Sequence, residues 1–253
     1  MTDTKLALIT GGSRGLGRAA ALHLGRAGAD VIVTYLSGAE AAEEVVAEIR
    51  ALGRRAAALP LDTGDSAAFA GFRDRLATCL EDEFGRADID ALVNNAGIGL
   101  HAGFAETTEA QFDLLMNIHL KGPFFLTQAL LPVIRDGGRI LNVSTGLTRF
   151  TFPGFAAYAV MKGGIEVLTR YLAKELGARG IAVNTIAPGA IETDFGGGTV
   201  RDDPEVNRMV AASIALGRAG LPDDIGGAVT GLLLGDLGWM TAQRIEVSGG
   251  QNL

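Results

Sequence analysis

The sequence predicts an α/β fold, a Rossmann-like, doubly wound parallel sheet of seven strands with helices on both faces, formed as one domain over residues 1–253. Three observations predict it. Short apolar, β-branched runs alternate with helical patterns along the whole chain. Each run is too brief for a typical helix and is bounded by turn residues. No low-complexity tract, heptad or short repeat divides the chain into two halves. Such alternation calls for right-handed βαβ crossovers, which yield a parallel sheet covered on both sides.

The elements follow in order. A strand over 5–10 runs into the Gly-rich turn Thr10-Gly11-Gly12-Ser13-Arg14-Gly15-Leu16-Gly17, which opens an amphipathic helix over 15–27. Strands over 30–35 and 56–61 are each followed by a helical pattern, at 39–52 and 65–84. The fourth run, 89–93, ends in Asn94-Asn95-Ala96-Gly97. A long helical pattern at 110–135 contains Pro123, which has no N–H to give the carbonyl of His119, so a kink is expected there. The fifth run, 139–143, leads through Ser144-Thr145 into a helix over 155–178. Runs at 181–186 and 244–248 complete the strands, and helical patterns at 204–216 and 222–236 lie between them. In a doubly wound sheet the ligand crevice lies beyond the carboxyl ends of the strands. All these motifs fall at or just after strand ends, so they converge.

Composition narrows the function classes. At 26.2 kDa and 48% hydrophobic residues the chain can bury a substantial core. A net charge of −7, with scattered arginines, offers no broad cationic surface for nucleic acid or anionic lipid. Met1-Thr-Asp-Thr-Lys5 leads directly into the first strand without a signal-peptide pattern or membrane anchor, and a cytoplasmic location is the expectation. The one cysteine, Cys79, is expected to be a buried thiol. Three scattered His and one Cys form no metal-ligating pattern, so no metal is expected.

The chemistry begins with Tyr158-Ala-Val-Met-Lys162, a phenol and an ammonium four residues apart and therefore on one helical face. A phenol with its usual pKa of about 10 holds its proton at neutral pH, and to return as a base its anion must be stabilised. A cation within about 4–6 Å favours the phenolate, so Lys162 is expected to lower the pKa of Tyr158. With Thr-Gly-x-x-x-Gly-x-Gly, Asn94-Asn95-Ala96-Gly97 and Ser144-Thr145 upstream, the chain resembles the short-chain dehydrogenase/reductase family over nearly its whole length.

The resemblance implies a dinucleotide cofactor and its contacts. Gly11, Ser13, Arg14, Gly15, Leu16 and Gly17 would hold the pyrophosphate at the first turn, where glycines admit a tight bend and close backbone approach. Asp62 matches the acid that bonds the adenine amino group, although it could instead cap the following helix. Asn94, Ala96 and Gly97 match the stretch along the cofactor ribose. Pro188, Gly189, Ile191 and Thr193 match the loop that holds the nicotinamide carboxamide, and Tyr158 and Lys162 would also touch the cofactor. The second strand ends in Thr34-Tyr35-Leu36-Ser37 with no acid to bond a ribose 2′-OH, and Arg14 can face a 2′-phosphate, so NADP (NADPH) is favoured over NAD.

Catalysis is implied for Thr145, Tyr158, Lys162 and His119, with two departures from the family pattern. Thr145 stands where relatives carry a Ser that steadies the reacting carbonyl; its methyl restricts rotation but the hydroxyl remains, and Ser144 is the fallback donor. His119 stands where relatives carry an Asn whose main-chain carbonyl holds a water leading to the active-site Lys. Asn117 is two positions away, about 200° round a helix, and is not assigned that role. The relay is expected to survive through the carbonyl of His119, with the imidazole tuning it; a plain packed histidine is the alternative. His101 could touch substrate but is expected to be exposed, as is His23. Phe150, Phe152 and Phe155 could wall an apolar pocket or belong to the core. The stretch Phe195 to Gly220, with its Gly196-Gly197-Gly198 run, reads as a mobile lid.

The expected activity is NADP(H)-dependent interconversion of a carbonyl, ketone or 3-oxoacyl, with a secondary alcohol, on a small-molecule substrate. The rival is a catalytically weak dinucleotide sensor or scaffold of the same fold. The resemblance also implies a homodimer or homotetramer, through the long helices and the segment Arg244 to Leu253.

Overall fold

Alternation within the strands explains the layers. In β1 (Leu6–Ile9), Ala7 and Ile9 point into one apolar cluster, while Leu6 and Leu8 point into another on the opposite face. The same division holds in β2 (Asp30–Tyr35), with Val31 and Val33 on one side and Ile32 on the other. The structure, a computed structural model, describes residues 4–253. β1 and β2 join β3 (Ala56–Pro60), β4 (Ile89–Asn94), β5 (Ile134–Val143), β6 (Ala182–Pro188) and β7 (Arg244–Val247) in one all-parallel sheet, ordered β3-β2-β1-β4-β5-β6-β7.

Helices cover both faces. The first cluster is closed by α1 (Gly15–Arg26), α2 (Ala39–Ala51) and the later helix Pro222–Leu234; the second is closed by α3 (Phe69–Phe84) and by helices from the middle of the chain. Strand order reverses between β1 and β4, and this opens a crevice at their carboxyl ends. The Gly-rich turn follows one of those ends and Asn95-Ala96-Gly97 the other.

Three expected elements differ. β5 begins at Ile134, five residues before the expected start at 139, and its pairing with β4 shifts register between Ile89 and Ala91. Gly137, at φ +74°, and Gly138, whose Cβ would lie 3.1 Å from the Asp90 carbonyl, carry that irregularity, and as a sequence they read as a turn. The expected helix over 110–135 is two helices, α4 (Glu109–Met116), opened by a Thr108/Gln111 capping box, and α5 (Gly122–Leu130). Between them Asn117–Lys121 forms one π-helical turn, closed by the Gly122 N–H on the Asn117 carbonyl, in place of a simple proline kink. Pro123 sits in the first turn of α5, where its missing N–H is tolerated. Further on lie α6 (Ala156–Leu176), the short α7 (Thr199–Asp202), α8 (Pro204–Ala212), which stops short of 216, and α9 (Pro222–Leu234). Among the described residues no helix is long and apolar enough to cross a membrane.

Candidate active site

The Gly-rich turn is built by close approach. Gly11 and Gly15 have φ of +65° and +56°, and a Cβ on Gly17 would lie 2.2 Å from the Gly11 carbonyl oxygen. Asn95 locks the turn from the neighbouring strand, donating from Nδ2 to the carbonyls of Thr10 (2.8 Å) and Gly11 (3.0 Å). α1 starts from Arg14 with no side-chain cap, so its first-turn N–H groups are left to an anion at the crevice. Arg14 is exposed and makes no side-chain bond among the described residues. The Ser13 hydroxyl faces Gly38, just past β2. This cradle fits a dinucleotide pyrophosphate.

The remaining cofactor residues are placed as follows. Thr193 lies over Gly15, its Cβ 3.8 Å from where a Gly15 Cβ would be, so the loop after β6 closes on the Gly-rich turn. Its hydroxyl accepts the Phe195 N–H at 3.2 Å. Leu16 and Ile191 pack their side chains against the core, which leaves their main chain to the crevice. Pro188 ends β6. Asp62 is exposed and accepts the Gly64 N–H at 2.7 Å; the helical cap expected as its alternative role is made by Asp65, which accepts from Ala67. Ala96 lies against Gly11, its Cα 2.9 Å from where a Cβ on that glycine would stand. The Asn94 side chain turns away from the crevice and donates to Thr127 (3.1 Å) and Asn142 (2.8 Å) in the buried interior.

At the other end of the crevice Tyr158 and Lys162 stand side by side on α6, both buried, with Nζ 5.7 Å from the centre of the phenol ring. Nζ donates to the Val143 carbonyl at 2.7 Å. The expectation that Lys162 lowers the Tyr158 pKa is corrected: burial raises it, with the Thr145 hydroxyl acting in the opposite direction, and burial lowers Lys162 to about 7. A low-dielectric site penalises both charged forms, and burial is the dominant cause at each group. Thr145 Oγ1 accepts the Leu147 N–H at 3.3 Å, which leaves its own hydrogen free to be donated. Ser144 is not the fallback donor, because its buried hydroxyl is committed to Glu166 at 2.7 Å.

His119 is brought in by the π turn. Its ring lies edge-on to Tyr158, centroids 5.1 Å apart. Nε2 lies 2.9 Å from the Ile98 carbonyl oxygen and 3.2 Å from the Ile98 N–H nitrogen, so either neutral tautomer finds a partner. Nδ1 is buried with no hydrogen-bond partner among the described residues. Burial, and then the nearby Lys162 charge, lower the imidazole pKa to about 2, so the ring is neutral.

Aromatic rings surround the phenol. Phe195 lies 5.7 Å and Phe155 6.5 Å from Tyr158, centroid to centroid. Phe155 also meets His101 at 5.2 Å and Phe152 at 6.1 Å. His101 is thus exposed, as expected, but is also part of this rim. Phe150 is not, since it packs on Gly146 and under Arg149.

A family model described as enoyl-(acyl carrier protein) reductase matches residues 11–252. Versicolorin reductase stcU of Emericella nidulans is 35% identical over 258 residues, covering 98% of this chain and 96% of its own. The chain belongs to the short-chain dehydrogenase/reductase family. Among solved structures, the reductase LugOII, described as catalysing keto-reduction at C1 in lugdunomycin biosynthesis, superposes with a TM-score of 0.93 at 39% identity, covering 98% of both chains. The angucycline C-6 ketoreductase LanV with bound NADP also superposes at 0.93 and 39%, covering 98% of this chain and 95% of its own. This short-chain dehydrogenase/reductase is therefore an oxidoreductase of the kind that acts on a CH–OH group with a nicotinamide cofactor.

Several polar residues of this dehydrogenase/reductase were not found from sequence. Asn95, assigned no role from the sequence, ties the Gly-rich turn. Gln251, near the carboxyl terminus, accepts the Ala190 N–H at 3.0 Å and packs against Gly189. Arg149 holds the Gln251 and Asn252 carbonyls (2.6 and 3.0 Å) together with Glu246. Glu166 and Arg244 lie behind Thr145. Only Glu166 left a signal, four residues beyond Lys162 on the face already singled out.

Proposed function

We propose that the enzyme is an NADP(H)-dependent ketoreductase with Tyr158 as its acid/base, acting on a ketone of a flat, fused aromatic molecule. The observation that carries this reading is the buried Tyr158–Lys162 pair opening onto a rim of rings, Phe155, Phe195, Phe152 and His101. Stacking and edge contacts of that rim suit planar apolar surface. It is supported by a landomycin C-6 ketoreductase structure that holds NADP and rabelomycin, 38% identical to this chain with a TM-score of 0.89.

The nicotinamide, when bound, supplies the hydride to the carbonyl carbon. The chain's own groups handle the oxygen: the Thr145 hydroxyl donates a hydrogen bond to it and Tyr158 delivers the proton. Because burial raises the pKa of Tyr158, the phenol keeps its proton through the neutral range and favours reduction. Lys162 would bond the cofactor ribose and, when charged, favour the phenolate. His119, neutral and with Nδ1 unpartnered, would tune Lys162. Gly11, Ser13, Arg14, Gly15, Leu16 and Gly17 would hold the pyrophosphate side, Asp62 the adenine, Ala96 and Gly97 the ribose together with the main chain of Asn94, and Pro188, Gly189, Ile191 and Thr193 the carboxamide. Arg14, exposed and without a partner among the described residues, favours a 2′-phosphate and hence NADP over NAD.

The test is NADPH oxidation with a panel of fused aromatic ketones, small aliphatic ketones, 3-oxoacyl thioesters and enoyl thioesters. Turnover confined to the aromatic ketones and abolished by Tyr158→Phe supports the reading; preference for a thioester overturns the substrate class. Because burial disfavours both charged forms of the Tyr158–Lys162 pair, a dinucleotide sensor remains the rival. It would bind NADPH, turn over nothing in the panel and ignore Tyr158→Phe. We also propose that copies of the chain associate through exposed apolar side chains, Phe124 and Phe125 of α5 with Val160, Val167 and Tyr171 of α6, and through the region of the fully exposed Trp239. A sedimentation mass of one chain at micromolar concentration would remove that part.

A further inference from the structure

The α6 face that carries Tyr158 and Lys162 carries Glu166 one turn further on, at i, i+4 and i+8. Its Oε1 accepts three donors: the Ser144 hydroxyl at 2.7 Å, the Thr148 hydroxyl at 2.7 Å and Arg244 Nε at 2.8 Å. Ser144 and Thr148 bracket Thr145 on the loop after β5. A hydroxyl has one hydrogen to give, and the shorter bond of Thr148 goes to Glu166 rather than to the Thr145 carbonyl at 3.0 Å. Arg244 Nη2, held in place by the same carboxylate, therefore serves as the side-chain donor to that carbonyl, at 3.1 Å. The loop is thus pinned on both sides of Thr145 and at its own main chain, all through one oxygen.

We propose that Glu166 is a positioning residue that sets the Thr145 hydroxyl against Tyr158, so that one rigid helix fixes both the proton donor and the group that steadies the carbonyl oxygen. This rests on the reading of Tyr158 and Thr145 given under the proposed function. Charge makes the hub effective, because hydrogen bonds to an ionised acceptor are shorter and stronger than neutral ones. Without the carboxylate, Ser144, 3% exposed, has only the Lys162 carbonyl at 3.4 Å to turn to, while Arg244 keeps Glu246 at 2.8 Å. The Arg244 guanidinium is then drawn toward Glu246, and Thr148 turns its hydrogen to the Thr145 carbonyl at 3.0 Å, so the loop keeps a tie within itself but loses its ties to α6 on both sides of Thr145. Orientation errors of about 1 Å at a reacting centre lower turnover by up to about 100-fold. Glutamine at position 166 can still present one oxygen to the three donors, so it should restore part of what alanine loses.

The experiment is a double-mutant cycle on NADPH-dependent ketone reduction, with NADPH affinity measured separately by fluorescence titration. Glu166→Ala is expected to lower kcat about 10- to 100-fold and Glu166→Gln about 3- to 10-fold, with NADPH affinity changed less than about 2-fold. In a Thr145→Ala background Glu166→Ala should lower kcat by less than about 3-fold, since the group it positions is gone. Effects at 145 and 166 that multiply in full would overturn the proposal. Should Glu166→Ala fail to fold, Ser144→Ala with Thr148→Val removes the same two ties from the loop side and should reproduce the loss in kcat; unchanged kcat in that variant also overturns it. Tyr158→Phe separates the two levels of inference. Full activity in that variant defeats the underlying assignment of the site, whereas an inactive Tyr158→Phe beside multiplying effects at 145 and 166 defeats the Glu166 clamp alone.

Discussion

Gly97→Ala is the sharpest perturbation of the His119–Tyr158 arrangement, because the collision it creates can be read from the geometry. A Cβ at position 97 would stand 2.6 Å from His119 Cε1 and 3.2 Å from Nδ1, where ordinary contact is 3.4–4 Å. The ring has nowhere to retreat. Nε2 is held by Ile98, and the opposite side meets the edge-on phenol of Tyr158. Relief needs a shift of nearly 1 Å in the loop or the imidazole, and overpacking of this kind destabilises by about 1–3 kcal/mol. For a chain of 253 residues that lowers Tm by about 2–6 °C. Because the displaced ring rests on Tyr158, the proposed proton donor, kcat should fall as well, by about 10- to 100-fold. Thermal unfolding by fluorimetry and steady-state ketone reduction measure the two effects. The decisive comparison is the same substitution in a His119→Ala background, where the obstructing ring is gone and Gly97→Ala should be neutral or stabilising. An equal loss in both backgrounds, or a Gly97→Ala enzyme with wild-type Tm and kcat, would refute the reasoning.

Other outcomes follow from the same site. In the oxidation direction the phenolate is needed and burial keeps it scarce, so log kcat/KM should climb by about one per pH unit from pH 7 to 10 while ketone reduction stays nearly flat; a flat oxidation profile would contradict a raised Tyr158 pKa. Lys162, lowered from 10.5 to about 7, binds its proton less readily when folded than when unfolded, so its contribution to stability worsens as pH falls from 10.5 toward 7 and is constant below that. Lys162→Met should therefore raise Tm more at pH 6 than at pH 10 while abolishing turnover, and an equal Tm change at both values would reverse that account. His119→Asn should shift the pH–rate profile, since it removes the imidazole that lies close enough to Lys162 to feel its charge; identical profiles would remove the tuning role. Arg14→Ala should raise KM for NADPH about 10-fold and leave KM for NADH within about 2-fold, because a phosphate contact is lost in one cofactor only.

The frame was legible because period-two burial and turn chemistry are local. All seven strands were located, and the motifs at their ends meet at the β1/β4 reversal. What stayed hidden depends on neighbours distant in sequence. The strand start at Ile134 was masked by Gly137-Gly138, which read as a turn although β4 holds them in the sheet. The π turn is not legible because Pro123 explains a kink equally well, and the contacts that accompany the turn come from a distant segment: a Cβ at Gly122 would lie 2.1 Å from the Thr63 carbonyl oxygen, and Ile118 lies beside Gly64. The direction of the Tyr158 pKa differs from the sequence expectation because spacing reports the distance between two groups but says nothing of how dry their surroundings are. Glu166 was overlooked since its partners, Ser144, Thr148 and Arg244, come from three separate segments.

The aromatic rim has a consequence for how this enzyme could change. Its rings come from loops, with Phe152 and His101 exposed and Phe195 leading into three consecutive left-handed glycines, whereas Tyr158, Lys162 and Glu166 share one long helix. Specificity and reactivity are therefore written on separate parts of the chain. On the proposed reading, exchanging the residues at 101 and 152, whose rings meet Phe155 rather than Tyr158, offers a route to new ketones at an undiminished rate of proton delivery, whereas changes at Phe195, 5.7 Å from the Tyr158 ring, should alter the rate as well.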